Sequence, residues 1–128
     1  MKQRTRVLIA DDQQSARQGL RALLAYCPEV EIVGEAANGE EAASLVAACQ
    51  PDVVLMDMHM PVMDGVAATQ GIKRNWPQVR VIALTMYAQY RAKACAAGAD
   101  AFLMKGGSAE ALLDAILNVS RVAVEEHG

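Results

Sequence analysis

Five short apolar runs punctuate the chain: Val7–Ala10, Glu31–Ala36, Val53–Met56, Val79–Leu84 and Ala101–Met104. The first, third and fourth are apolar almost throughout, the mark of strands buried on both faces. Between the runs, apolar positions recur at helical spacing. Ala16, Leu20, Leu23, Leu24 and Cys27 make one stripe; Ala42, Leu45, Val46 and Cys49 a second; Val66, Thr69 and Ile72 a third. Residues 88–97 are Ala-rich, and Leu112, Leu113, Ile116, Leu117 and Val119 mark the last stripe. Asn38 and Ser108 suit N-caps, Pro51 ends the second helix, and Gly98 suits a stop after the fourth. The pattern predicts strands over about 6–10, 31–36, 52–57, 79–84 and 101–104, and helices over about 14–27, 39–49, 65–75, 88–97 and 109–122.

A strand–helix unit repeated in this way implies right-handed crossovers and a parallel sheet covered on both faces. No linker or low-complexity tract interrupts it, so a single α/β domain is expected over 1–128. Hydrophobic residues make up 53% and aromatics only 4%, so the core must rest on Ala, Val, Leu, Ile and Met, which suits helices on a parallel sheet better than a β-sandwich. The net charge is −3 with Lys and Arg dispersed, which argues against direct nucleic-acid binding by this domain. Cys27, Cys49 and Cys95 show no metal-ligand spacing and read as small buried thiols in a reducing compartment. The first apolar run is too short for a signal-peptide core or a membrane span, so a soluble, cytoplasmic protein is expected.

Parallel sheets bind ligands beyond the carboxyl ends of their strands. Asp11 and Asp12 follow the first run, Asp57 the third, Thr85 the fourth and Lys105 the fifth. Any one of these alone reads as a solvated loop residue; the set does not. Neighbouring carboxylates repel one another unless a cation sits among them. A hard cation such as Mg2+ uses few carboxylates and keeps coordination positions for phosphate oxygens. An aspartate can attack phosphorus, and an ammonium can neutralise the phosphoryl charge while a hydroxyl hydrogen-bonds a phosphoryl oxygen.

With these residues in place the chain resembles the receiver domain of bacterial two-component response regulators over nearly its whole length. The marks are Val7-Leu8-Ile9-Ala10-Asp11-Asp12, Asp57-Met58-His59-Met60-Pro61 with Asp64-Gly65, Ala83-Leu84-Thr85, and Gly98-Ala99-Asp100-Ala101-Phe102 with Lys105. Gly34 to Ala42 and Leu84-Thr85-Met86-Tyr87 further resemble the LuxR/NarL branch, whose members usually carry a C-terminal helix-turn-helix domain. The resemblance implies a flavodoxin-like (βα)5 fold with strand order 2-1-3-4-5. It implies Asp57 as phosphoacceptor, with Mg2+ or Mn2+ held by Asp12, Asp57 and the His59 backbone carbonyl, and by Asp11 largely through water. Lys105 would pair with the phosphoryl group, Thr85 would be the switch hydroxyl, and Phe102 would occupy the family's rotating aromatic position. The donor would be a histidine kinase or phosphotransfer protein, and the output transcriptional, through a domain not present here. The resemblance thus implies a signalling phosphoacceptor that assists its own phosphorylation and dephosphorylation, not a metabolic enzyme.

Thr85 and Lys105 lie closer in sequence than the family pattern implies, so a shortened fourth-helix region is expected. Gly106-Gly107 stands where many relatives have a cis proline, which predicts a trans and more mobile loop. His59 and Tyr87 are expected as exposed side chains that modulate phosphoryl lifetime. Met56, Met58, Met60 and Met63 are expected to pack in core and loop, since soft-metal binding does not suit hard carboxylate neighbours. The last helix, through Val122 and Val124, is apolar over more than one face, which fits two-sided burial and a homodimer or partner surface equally. Two rival functions differ in kind. A haloacid-dehalogenase-like phosphatase would need a second Asp where His59 stands. A phosphate-independent interaction module of the same fold is disfavoured by the intact Asp11, Asp12, Asp57, Thr85 and Lys105 set.

Overall fold

The computed structural model describes residues 3–117. Its elements are β1 (Thr5–Ala10), α1 (Gln14–Leu24), β2 (Val30–Ala36), α2 (Gly39–Cys49), β3 (Val53–Asp57), α3 (Gly65–Asn75), β4 (Arg80–Thr85), α4 (Tyr90–Ala96) and β5 (Ala101–Met104). Residues 109–117 are helical and are called α5. The expected continuation of α5 to 122, with Val119, Val122 and Val124, lies outside the described residues.

All strand pairs are parallel and the order is β2-β1-β3-β4-β5, the flavodoxin-like arrangement. Alternation along the central strands builds two apolar layers. Leu8, Val54, Met56, Val81 and Ala83 face one cluster, completed by Ala42 and Val46 of α2, Ala68 and Ile72 of α3, and Ala94 of α4. Val7, Ile9, Leu55, Ile82 and Leu84 face the other, completed by Leu24 of α1 and by Leu112 and Ile116 of α5. The three runs read as doubly buried are the three central strands. The edge strands β2 and β5 are only partly covered. Between β1 and β2 the register slips after Val7, which pairs Leu8 with Gly34. A Cβ at Gly34 would lie 3.1 Å from the Leu8 side chain, so the edge strand approaches closely there.

Local chemistry sets the helix starts. Asn38 Oδ1 accepts the Glu41 N–H at 2.8 Å, and Glu41 Oε1 accepts the Ala37 N–H at 2.8 Å. Asp64 caps α3 by accepting the Ala67 N–H at 2.9 Å, and Ser108 accepts the Ala111 N–H at 3.0 Å. Each such cap contributes about 1 kcal/mol. Gly98, at a φ of +101°, turns the chain out of α4.

Some boundaries differ from the sequence pattern. The stripe through Cys27 predicts a first helix three residues longer, but α1 ends at Leu24. Pro28 restricts the backbone of Cys27, and the stripe continues as a turn that still buries Cys27. The fourth helix is shorter still than expected, seven residues from Tyr90 to Ala96, against eleven in α1, α2 and α3. Cys27 is buried as expected, but Cys49 is half-buried and Cys95 is exposed; all are free thiols. Among the described residues no helix is long and apolar enough to cross a membrane.

Candidate functional site

Strand register brings the polar residues to one edge. Ala10 pairs with Met56, Asp57 with Leu84, and Thr85 with Met104, so the residues that follow these strands emerge side by side. Backbone bonds continue the ladder past the strand ends: Asp11 N–H to Ala36 O at 3.0 Å, Met58 N–H to Leu84 O at 3.1 Å, and Lys105 N–H to Thr85 O at 2.8 Å.

Asp11, Asp12 and Asp57 meet there, each offering a carboxylate oxygen within 4.8 Å of the others. Asp11 and Asp57 are buried and Asp12 is exposed, so the cluster opens to solvent on the Asp12 side. The Lys105 ammonium reaches in to 2.7 Å from Asp11 and 3.4 Å from Asp57. Each buried acid also has a main-chain partner: Asp11 Oδ1 accepts the Gln13 N–H at 3.0 Å, and Asp57 Oδ1 accepts the His59 N–H at 3.2 Å.

Burial raises the pKa of Asp57 above the ordinary carboxylate value, and the nearby Asp11 charge raises it further. The His59 N–H and the Lys105 charge work the other way without cancelling the rise. Burial alone would lower the Lys105 pKa, but its hydrogen bond to Asp11 and the charges of Asp57 and Asp11 outweigh it, so Lys105 is raised and held as an ammonium. A lysine cation thus already sits among these carboxylates. The donor set is all oxygen, suited to a hard divalent cation and not to a soft one.

Thr85 is fully buried at the end of β4, and its Oγ1 accepts the Tyr87 N–H at 3.1 Å.

The family profile of the response regulator receiver domain matches residues 7–117. This chain belongs to that family. The receiver is 38% identical over 118 residues to the response regulator protein VraR of Staphylococcus aureus, a match that covers 91% of this chain and 56% of VraR. The chain therefore spans about half the length of the curated relatives it matches. Among solved structures it is similar to a DNA-binding response regulator of the LuxR family from Staphylococcus aureus, with a TM-score of 0.84 and 32% identity over 90% of this chain and 98% of that one. It is also similar to a chain of the CheX–CheY–BeF3–Mg2+ complex of Borrelia burgdorferi, with a TM-score of 0.81 and 27% identity over 89% of this chain and 87% of that one.

Not every residue singled out from the sequence enters the receiver's acidic cluster. Phe102 is half-buried, packs against the cluster under α2, α3 and α4, and carries the Arg91 guanidinium 5.5 Å from its ring centroid. His59 and Tyr87 are exposed, and their rings meet each other at 6.0 Å between centroids. Met56, Met58 and Met60 are buried and Met63 packs against them, so the methionines fill core and loop. Among the described residues no peptide bond is cis; after Lys105 the chain turns at Gly106 with a φ of +82°. An apolar cleft of about 380 Å³ opens beside the site between α1 and α5, with Leu20, Leu23, Leu103 and Leu112 in its walls and Asp11 and Lys105 at its edge. Its lining is mostly apolar, unlike the all-oxygen acidic cluster beside it.

Three contributions are explained only by the geometry. A Cβ on Gly65 would lie 1.9 Å from the Asp57 carbonyl oxygen, so the start of α3 can sit on the end of β3 only with glycine there. Asp64-Gly65 is visible in sequence as a family mark, but its steric reason is not. Arg17 donates to the Asp11 carbonyl at 2.6 Å and to Glu35 Oε1 at 3.2 Å, bracing the β1–α1 turn against β2. Tyr90 hydrogen-bonds His59, with Oη 3.0 Å from Nδ1. Nothing in the spacing of Arg17 or Tyr90 signals either contact.

Proposed function

We propose that this receiver takes a phosphoryl group on Asp57 from the phosphohistidine of a histidine kinase or phosphotransfer protein, and that the changed loop contacts are its output. The observation that carries the reading is the meeting of Asp11, Asp12 and Asp57 within 4.8 Å, with Lys105 reaching both buried acids. An Asp57 carboxylate oxygen attacks phosphorus as the phosphorus–nitrogen bond breaks, and the electron pair stays with the imidazole. Lys105 exchanges a carboxylate contact for a phosphoryl oxygen. The Thr85 hydroxyl, which among the described residues uses only an acceptor lone pair, donates to another phosphoryl oxygen and draws the β4–α4 loop with it. Asp11, Asp12, Asp57 and the His59 carbonyl would hold Mg2+ or Mn2+, which when bound supplies charge neutralisation around the phosphoryl oxygens. The similar Borrelia burgdorferi structure is named as a complex containing CheY, BeF3 and Mg2+, which supports the same chemistry here. The VraR and LuxR-family similarity favours a transcriptional output through a further domain.

Phosphorylation acts as a population shift, favouring a state whose contacts at Thr85 and Lys105 need the phosphoryl group. The test is an NMR titration with beryllofluoride and Mg2+, wild type beside Asp57→Asn. The expected result is saturable, Mg2+-dependent change in wild type alone, extending to Thr85 and Phe102. Change confined to the neighbours of Asp57 would deny the switch, and no change in a folded wild type would leave a phosphate-independent interaction module.

A further inference from the structure

The chain has only five aromatic residues, and two of them, Tyr87 and Tyr90, gather with His59 beside the acceptor. The rings pack at centroid distances of 6.0 Å for His59–Tyr87, 6.2 Å for His59–Tyr90 and 6.3 Å for Tyr87–Tyr90. The trio is wired to the site through the main chain. His59 N–H donates to Asp57 Oδ1 at 3.2 Å, Tyr87 N–H donates to Thr85 Oγ1 at 3.1 Å, and Tyr90 N–H donates to Tyr87 O at 3.1 Å. The members are not equally fixed. His59 and Tyr87 are exposed, whereas the Tyr90 ring packs against the core cluster shared by α2, α3 and α4. Its hydroxyl is bonded to His59 Nδ1 at 3.0 Å. An exposed imidazole with no partner would sample its rotamers freely; here a core-anchored phenol holds it in one.

We infer that Tyr90 is the positioning residue of an aromatic gate: by holding His59 against Tyr87 it limits how readily water and small phosphodonors reach Asp57. The inference rests on Asp57 as the phosphoacceptor. It ties the lifetime of the acyl phosphate to the first residue of the short α4, which directly follows the β4–α4 loop that Thr85 would draw. The gate acts on two reactions. In labelling by acetyl phosphate, an Asp57 carboxylate oxygen attacks phosphorus and acetate leaves with the electron pair of the broken phosphorus–oxygen bond. In hydrolysis, water attacks the same phosphorus, the Asp57 carboxylate leaves, and the water proton passes to solvent. Both need a small molecule to enter from outside, so a gate slows both together. A residue that only stabilises the resting fold would not.

Tyr90→Phe keeps the packed ring and removes the hydrogen bond. The experiment measures the rate of labelling by acetyl phosphate in Mg2+, then the rate of label loss after the donor is removed. Wild type, Tyr90→Phe, His59→Ala and the double variant are compared. Tyr90→Phe is expected to raise both rates about 3- to 10-fold, the range that one hydrogen bond spans. In the His59→Ala background the same change is expected to do nothing, because its target is gone. Nitrogen NMR of the His59 ring is expected to report the freed Nδ1 in Tyr90→Phe with or without phosphorylation. Rates that ignore Tyr90 in protein labelled at Asp57 overturn the gate alone, as does a Tyr90→Phe effect that survives without His59. A folded wild type that takes no label overturns the acceptor assignment, and the gate with it.

Discussion

At the amino ends of the strands, Asp100 lies between two cations, Lys73 at 3.1 Å and Arg80 at 3.6 Å, and accepts the Val81 N–H at 2.8 Å. Lys73 uses its remaining protons on the Pro77 and Val79 carbonyls at 3.0 and 2.9 Å. At the carboxyl edge of the sheet, three carboxylates cluster and, among the described residues, one ammonium, Lys105, reaches two of them, Asp11 and Asp57. One edge is electrically closed and the other is left with surplus negative charge. The closed edge joins α3, β4 and β5 and serves the fold. The open edge carries a cost that packing elsewhere must offset, and such local conflicts mark where function resides. Neutralising a carboxylate at one edge and at the other should therefore differ in sign.

The largest effect is expected where the carboxyl edge is shaped and not merely charged. Gly65→Ala would put a methyl group 1.9 Å from the Asp57 carbonyl oxygen, and backbone cannot yield as a side-chain tip can. A loss of about 3 kcal/mol in urea unfolding is expected, with displacement of Asp57 and weakened labelling. Gly71→Ala, in the same helix but with open space around its Cβ, is the control and should gain about 0.5–1 kcal/mol. Equal losses at both would show that helix α3 resists any alteration and that the contact at Gly65 is not special.

Next comes the direct contrast of charges. Asp100→Ala strands Lys73 and Arg80 and orphans the Val81 N–H, so a loss of about 2 kcal/mol is expected. Asp57→Asn removes a buried charge repelled by Asp11, and a gain of about 1 kcal/mol is expected at neutral pH. The sign of the pH dependence follows. An acid whose folded pKa is raised destabilises once it ionises, so its cost is absent below the ordinary carboxylate value of 3.8 and complete above the raised native value. The advantage of Asp57→Asn should therefore grow as pH rises through that window and then level off, which urea midpoints from acid to neutral pH would register. A loss at neutral pH in Asp57→Asn would mean that Lys105 had already closed the carboxyl edge.

These edges were unequally legible in the sequence. An apolar run declares a strand, and the first polar residue after it must emerge at the carboxyl edge, so Asp11, Asp57, Thr85 and Lys105 could be read as neighbours before any distance was known. Asn38 and Ser108 were legible as caps because capping is a matter of three residues. Tyr90 and Arg17 were not, because His59 lies in another strand's loop and Glu35 in the neighbouring strand β2, so each contact depends on how a helix packs on the sheet. The end of α1 misled for a related reason: Cys27 keeps the helical spacing of its stripe and is buried, but Pro28 makes that stretch a turn.

Divalent cation sharpens the contrast from the other side. Mg2+ at ten times its dissociation constant should stabilise wild type by about 1.4 kcal/mol, seen as a rise in Tm. Asp12→Asn should reduce the rise, and Asp100→Ala should retain it in full, since its carboxylate is at the far edge. A rise that vanished equally in both variants would mean that the metal reports global folding and not the open edge.

The smallest contrast concerns backbone strain, which also falls unevenly. Val62, at the carboxyl edge in the β3–α3 loop, has a φ of +68°, and Gln50, which ends α2 at the amino edge, has a φ of +46°. Both are left-handed, but a β-branched side chain tolerates that region far less well than an unbranched one. Val62 is 80% exposed, so no burial of its side chain offsets the strain. Val62→Gly is therefore expected to gain about 1 kcal/mol and Gln50→Gly about half of that, each reduced by the greater freedom of glycine in the unfolded chain. Paired thermal unfolding of the two variants measures the difference. A larger gain at Gln50 would place the strain at the closed edge, and the division of labour between the two ends of the sheet would then rest on charge alone.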